Sequence, residues 1–163
     1  MELTLKQHII NDIYTIRKTL ELLEKSDANS TSSFHLCFAG FPRGCGGNAT
    51  NLLGLYLKQK YDINTEYVSA KGLGNNQEQS HTWLMCDGFI VDITADQFNE
   101  GGHDVTDVMI MKESYFHTLF DDIDVNVLVI EALKETAVES VLCKVINNID
   151  ASEKLPRKPF KRS

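Results

Sequence analysis

The stretch that decides the fold is His81-Thr82-Trp83-Leu84-Met85-Cys86-Asp87-Gly88-Phe89-Ile90-Val91-Asp92-Ile93-Thr94. Asp87-Gly88 is a two-residue turn signal between apolar, β-branched runs, which predicts a hairpin of strands 81–86 and 89–94. A two-residue turn pairs Cys86 with Phe89, Trp83 with Asp92 and His81 with Thr94. Because alternate residues share a face, His81, Trp83, Asp92 and Thr94 point to one side. Leu84, Cys86, Phe89, Val91 and Ile93 form an apolar set on the other. Asp92 is then diagonal to His81, roughly 7–8 Å away between backbone positions, a gap that a carboxylate and an imidazole bridge. The apolar face opposite reads as the core side, so Asp92 itself is expected to contribute little to folding.

Upstream, Phe41-Pro42-Arg43-Gly44-Cys45-Gly46-Gly47 leads into a helical pattern over Asn48–Tyr61, with Leu52, Leu53, Tyr56 and Leu57 on one face and Gly47 or Asn48 as N-cap. A thiol is nucleophilic as thiolate, and a helix start with a nearby imidazole favours that form. The order Cys45, His81, Asp92 therefore fits a nucleophile, its base and the acid that fixes the imidazole tautomer. Trp83 reads as a packing residue that also walls the site. Arg43 is a candidate for holding an acidic substrate group, although a solvent-facing role is the plainer reading.

His81-Thr82-Trp83 followed by Asp92-Ile93-Thr94 resembles the H-x-W and D-x-T segment of transglutaminase-like enzymes of the papain-like superfamily, including uncharacterised bacterial relatives. The resemblance spans about Phe41 to Phe98. It implies a papain-like α+β fold in which a central helix carrying Cys45 packs on an antiparallel sheet, flanked by N- and C-terminal helices. It also implies cysteine-dependent hydrolysis or acyl transfer at an amide bond (peptidase, deamidase or transglutaminase type), with a protein or peptide substrate and no cofactor. Papain-like proteases place a glutamine before the cysteine, and none stands between Phe34 and Cys45. The oxyanion hole would then use the Cys45 N–H with a second donor: Gln97, Asn48 or a backbone amide. The alternative is a non-catalytic interaction or regulatory, immunity-type module on the same fold.

The rest of the chain sets bounds. Its 163 residues suit one domain over 1–153, with a basic tail, 154–163, read as disordered. A net charge of −7 argues against general nucleic-acid binding. No apolar run reaches the ~20 residues needed to span a bilayer. The N-terminus lacks a signal-peptide pattern, so the expectation is a cytoplasmic protein with all four cysteines reduced. Cys37, Cys86 and Cys143 read as small core hydrophobes. His103, His117, Asp104 and Asp107 show no metal-ligand spacing, and no metal is expected. Further elements are a helix over Glu2–Lys25, a loop 26–33, an apolar approach segment 34–40 and a strand 64–70. A glycine-bearing loop 71–80, a loop 99–104, a strand 105–111, a short helix 115–120 and a long helix over Val127–Ile149 complete the expectation.

Overall fold

The computed structural model describes residues 5–23, 40–74, 76–134 and 136–153, with residues 151–153 described by their backbone alone. The expected loop 26–33, Cys37 with most of its approach segment, and the basic tail lie outside these residues. Among the described residues the architecture is α+β: three α-helices on one face of a five-stranded antiparallel sheet.

Helix α1 (Gln7–Leu22) buries Ile9, Ile13, Ile16 and Leu20, a stripe at helical spacing. Helix α2 (Gly46–Tyr61) is apolar almost all round, burying Leu52, Leu53, Leu55 and Leu57, because it is sandwiched between the sheet and the outer helices. It ends at Asp62 in the left-handed conformation (φ 54°), which returns its N–H to the Leu57 and Lys58 carbonyls. Helix α3 (Ala137–Glu153) adds Val141, Leu142 and Val145 to the same core.

The strands are β1 (Glu66–Leu73), β2 (Gln79–Cys86), β3 (Phe89–Asp92), β4 (Met109–Met111) and β5 (Asp122–Val127), in the order β4-β3-β2-β1-β5. The β2–β3 hairpin has the expected register, Cys86 with Phe89 and Leu84 with Val91. Both turn residues have positive φ, 51° at Asp87 and 82° at Gly88, the geometry that Asp-Gly favours.

Three expectations are corrected. The long helix over Val127–Ile149 is instead edge strand β5, a 3₁₀ turn (Ile130–Leu133) and α3. Asp122-Ile123-Asp124-Val125-Asn126-Val127 alternates with period two, and that local pattern prevails. The 71–80 loop is shortened, because β1 runs on to Leu73 across a register shift and β2 starts at Gln79. Both sheet faces are covered near the hairpin. The His81 side packs a second core of Val68, Trp83, Phe98, Phe116 and Phe120, so Asp92 is a core group, 1% exposed.

Candidate active site

The turn Gly40–Gly44 delivers the chain to α2. Arg43 N–H donates to the Gly40 carbonyl at 2.8 Å and Cys45 N–H to the Pro42 carbonyl at 3.1 Å. Cys45 is the N-cap of α2 and fully buried. Gly46 follows because the helix start passes His81 closely: a Cβ there would lie 3.3 Å from His81 Nδ1 and 3.2 Å from Thr82 Oγ1. His81 thus turns Nδ1 toward the start of α2.

Its other nitrogen, Nε2, lies 2.6 Å from Asp92 Oδ2. The diagonal pairing expected from the hairpin register is present. Asp92 Oδ1 accepts the Thr94 N–H at 2.9 Å, which is how D-x-T fixes the carboxylate: a local turn clamps one oxygen and leaves the other for imidazole. Burial pushes the Asp92 carboxyl up, but electrostatic attraction to His81 and the hydrogen bond from His117 outweigh it. The group is held well below the usual carboxylate range.

Sequence reasoning set His117 aside. It stands on a 3₁₀ turn (Phe116–Leu119), and its Nε2 lies 2.7 Å from the same Asp92 oxygen. Its Nδ1 lies 2.6 Å from Ser114 Oγ. Trp83 packs edge-on against it with ring centroids 4.5 Å apart. An ionised carboxylate only accepts, so both imidazoles carry their proton on Nε2 and present Nδ1 as a lone pair. Nothing within the sequence interval between Asp92 and His117 signals this meeting; it depends on how the 3₁₀ turn folds over the sheet.

His81, Asp92 and His117 are also a set whose ligand atoms gather within 4.8 Å. Each histidine already hydrogen-bonds to Asp92 Oδ2, at 2.6 and 2.7 Å, whereas a tetrahedral cation with bonds of ~2.0–2.2 Å would hold its ligand atoms more than ~3 Å apart. A cation would have to open both hydrogen bonds, so the arrangement fits a hydrogen-bonded relay better than a metal centre.

A second residue missed at the sequence level is Arg17. Buried at 4% exposure, it binds the Ile93 carbonyl at 2.5 Å and both Asp96 carboxylate oxygens at 2.7 and 2.8 Å. This fork pins the segment that follows Asp92 to α1. As one polar residue on an apolar helical stripe, Arg17 was the available signal.

The remaining candidates divide. Gln97 joins the site: Oε1 accepts Gly44 N–H at 3.3 Å, while Nε2 donates to the Thr94 carbonyl at 3.0 Å and lies 3.4 Å from His81 Nδ1. Asn48 lies half-buried in the first turn of α2. Arg43 is exposed and paired with Glu100, away from the buried relay. The expected use of the Cys45 N–H in an oxyanion hole is corrected, since the Pro42 carbonyl already takes it.

The cysteines also differ from expectation. Cys45 is disulfide-bonded, so the four are not all free thiols. A disulfide needs Cα atoms ~4.4–6.8 Å apart, and no sequence pattern reveals that proximity. Cys86 is a buried free thiol, its pKa raised to about 11 by burial and by Asp87. Cys143 is free and exposed, because it falls on the outer side of α3 rather than in its apolar stripe.

No family model matches the chain, and no curated protein matches it. A solved structure described as "The crystal structure of genomics APC5867" is similar at a TM-score of 0.37 and 17% identity, over 98% of this chain and 84% of that chain. A likeness at that level carries no argument here. No helix among the described residues is long and apolar enough to cross a membrane.

Proposed function

We propose that the reduced chain is a cysteine-dependent hydrolase or acyl-transferase of papain-like, transglutaminase-like type, acting on an amide bond of a protein or peptide in the cytoplasm. The observation that carries this reading is the orientation of His81: Nε2 on Asp92 at 2.6 Å, Nδ1 facing the helix start that Cys45 caps. On reduction by a dithiol, the Cys45 proton passes to His81 Nδ1 and the thiolate attacks the amide carbonyl. His81 then protonates the leaving amine. Water resolves the acyl-enzyme in a peptidase or deamidase, and a second amine resolves it in a transglutaminase. Gln97, beside His81 Nδ1 and tied to Gly44, is the side-chain amide best sited to contact the substrate.

The disulfide itself supports a second reading. There Cys45 is a structural staple, and the buried relay holds together a non-catalytic interaction module. Alkylation separates the two. In the reduced protein, Cys45 should react with iodoacetamide well below the ~8.5 pKa of an ordinary thiol and faster than Cys86. His81→Ala should slow that reaction near neutral pH. Slow alkylation of Cys45 that His81→Ala leaves unchanged would reject the enzyme and favour the staple.

A further inference from the structure

A cavity of about 940 Å³ opens away from Cys45. It lies on the sheet face opposite the helices, walled by Trp83, Met85, Ile90 and Val125, with Ser114 and His117 in its lining. We propose that Ser114, His117 and Asp92 form a separate serine-based site in this cavity, one that hydrolyses esters bearing an apolar acyl group.

The geometry is that of an activated serine. Asp92 accepts from His117 Nε2 at 2.7 Å, which fixes the proton there and leaves Nδ1 as a base. Ser114 Oγ lies 2.6 Å from that Nδ1, so the hydroxyl donates to it. Ser114, His117 and Asp92 are 8%, 3% and 1% exposed, which protects the relay from water while Ser114 still meets the cavity. Ser114 Oγ also accepts the His117 backbone N–H at 3.4 Å. That capping contact uses an oxygen lone pair and leaves the O–H for Nδ1, so the two roles coexist. The cavity lining also carries Glu66, Asp87, Lys112 and Glu113, but the side chain packed on His117 is Trp83, which sets an apolar surface beside Ser114 that suits an acyl chain.

In the reaction, Ser114 Oγ bonds to the ester carbonyl carbon as its proton moves to His117 Nδ1. The C–O bond to the leaving alkoxide breaks, and the alkoxide takes that proton to depart as alcohol. Water then attacks the acyl-serine, giving a proton to Nδ1. The acid departs as the Ser114–acyl bond breaks, and the proton returns to Oγ. Ester and water become acid and alcohol, with no further reactant. The disulfide leaves Cys45 without a thiol but leaves this site whole, so the two chemistries separate by redox state.

The test uses the full chain without reductant, a fluorophosphonate probe and p-nitrophenyl butyrate. Peptide mass mapping should place the phosphonyl group on Ser114, and ester hydrolysis should exceed the buffer rate. Ser114→Ala and His117→Gln should each lower that hydrolysis by about 100-fold or more, as loss of nucleophile or base does, with circular dichroism unchanged. Adding a dithiol should leave phosphonylation of Ser114 unaltered. A label absent or on another residue, hydrolysis that survives Ser114→Ala, or activity appearing only with dithiol would each overturn the proposal. Should a variant fail to fold, the mapped residue in the wild-type chain decides.

Discussion

Asp92→Asn probes the whole arrangement, because three donors converge on one carboxylate. Oδ1 holds the Thr94 N–H at 2.9 Å, and Oδ2 holds His81 and His117 at 2.6 and 2.7 Å. An asparagine that keeps its oxygen on Thr94 turns its NH₂ toward two N–H donors. Both imidazoles must then move their proton from Nε2 to Nδ1. Charge-assisted hydrogen bonds contribute ~1.5–3 kcal/mol each and neutral ones ~0.5–1.5 kcal/mol, so the two imidazole bonds together weaken by roughly 2–3 kcal/mol. Relief from desolvating a buried charge offsets part, leaving an expected destabilisation of about 1–3 kcal/mol. This replaces the expectation of near-neutral folding, which rested on the hairpin's opposite face being its core side. The assay is urea unfolding followed by fluorescence of Trp83, the single tryptophan, whose ring lies 4.5 Å from that of His117. Its pH dependence has a definite sign. The folded carboxyl is held low, so its stabilisation is complete above the unfolded pKa of ~3.9 and fades as pH falls through the depressed folded value. Wild type and variant should therefore differ at pH 7 and converge in acid. Turnover by reduced Cys45 should fall at least ~10-fold, less than the ~10⁴ of the serine-protease template because a preformed thiolate–imidazolium pair relies less on the acid. Equal urea midpoints at pH 7 would refute the shared-carboxylate account.

Gly46→Ala should slow Cys45 alkylation in the reduced protein, since a Cβ 3.3 Å from His81 Nδ1 forces the imidazole or the helix start aside; an unchanged rate would show that the site tolerates the shift. Arg17→Met should destabilise by about 3–5 kcal/mol, the cost of leaving a partly buried carboxylate and a buried carbonyl unpaired, read as a lower urea midpoint. Thr65→Val should raise thermal stability. Its Oγ1 is buried with no hydrogen-bond partner among the described residues, and an unsatisfied hydroxyl costs ~1–3 kcal/mol; a lower melting temperature would mean that this hydroxyl has a partner.

What could be read in advance divides by the range of the interaction. The hairpin was legible because Asp87-Gly88 fixes both turn and register within two residues, and with register came the His81–Asp92 diagonal. The start of α2 beside Cys45 was legible from the glycine punctuation. His117 was not, because a 3₁₀ turn carries no periodic signature and its contact with Asp92 spans 25 positions. Arg17 reaches Asp96 across 79 positions, and only its polarity on the α1 stripe hinted at a buried partner. Strand β5 is different: its alternation was present in the sequence, and the apolar spacing that follows it masked it by suggesting one longer helix.

The carboxylate at position 92 also explains why fold and chemistry are hard to separate in this chain. It clamps its own strand end through Thr94, reaches β2 through His81 and ties the 3₁₀ turn through His117, so it is a structural keystone whatever the protein does. The same bonds set both imidazoles in one tautomer, each aiming a basic Nδ1 outward, one at the start of α2 and one at Ser114. A purely structural clamp on the carboxylate would demand the same tautomer, so the tautomer alone does not separate structure from chemistry. Replacing His117 with glutamine tests which demand dominates at Cys45. The variant retains an N–H for Asp92, so the shared clamp persists with a neutral donor. If His81 draws its orientation from Asp92 alone, Cys45 in reduced His117→Gln should alkylate within about 3-fold of wild type, under ~1 kcal/mol of barrier. A much larger loss would mean that the second imidazole helps set the charge on the carboxylate that His81 faces, and that the relay acts as one unit.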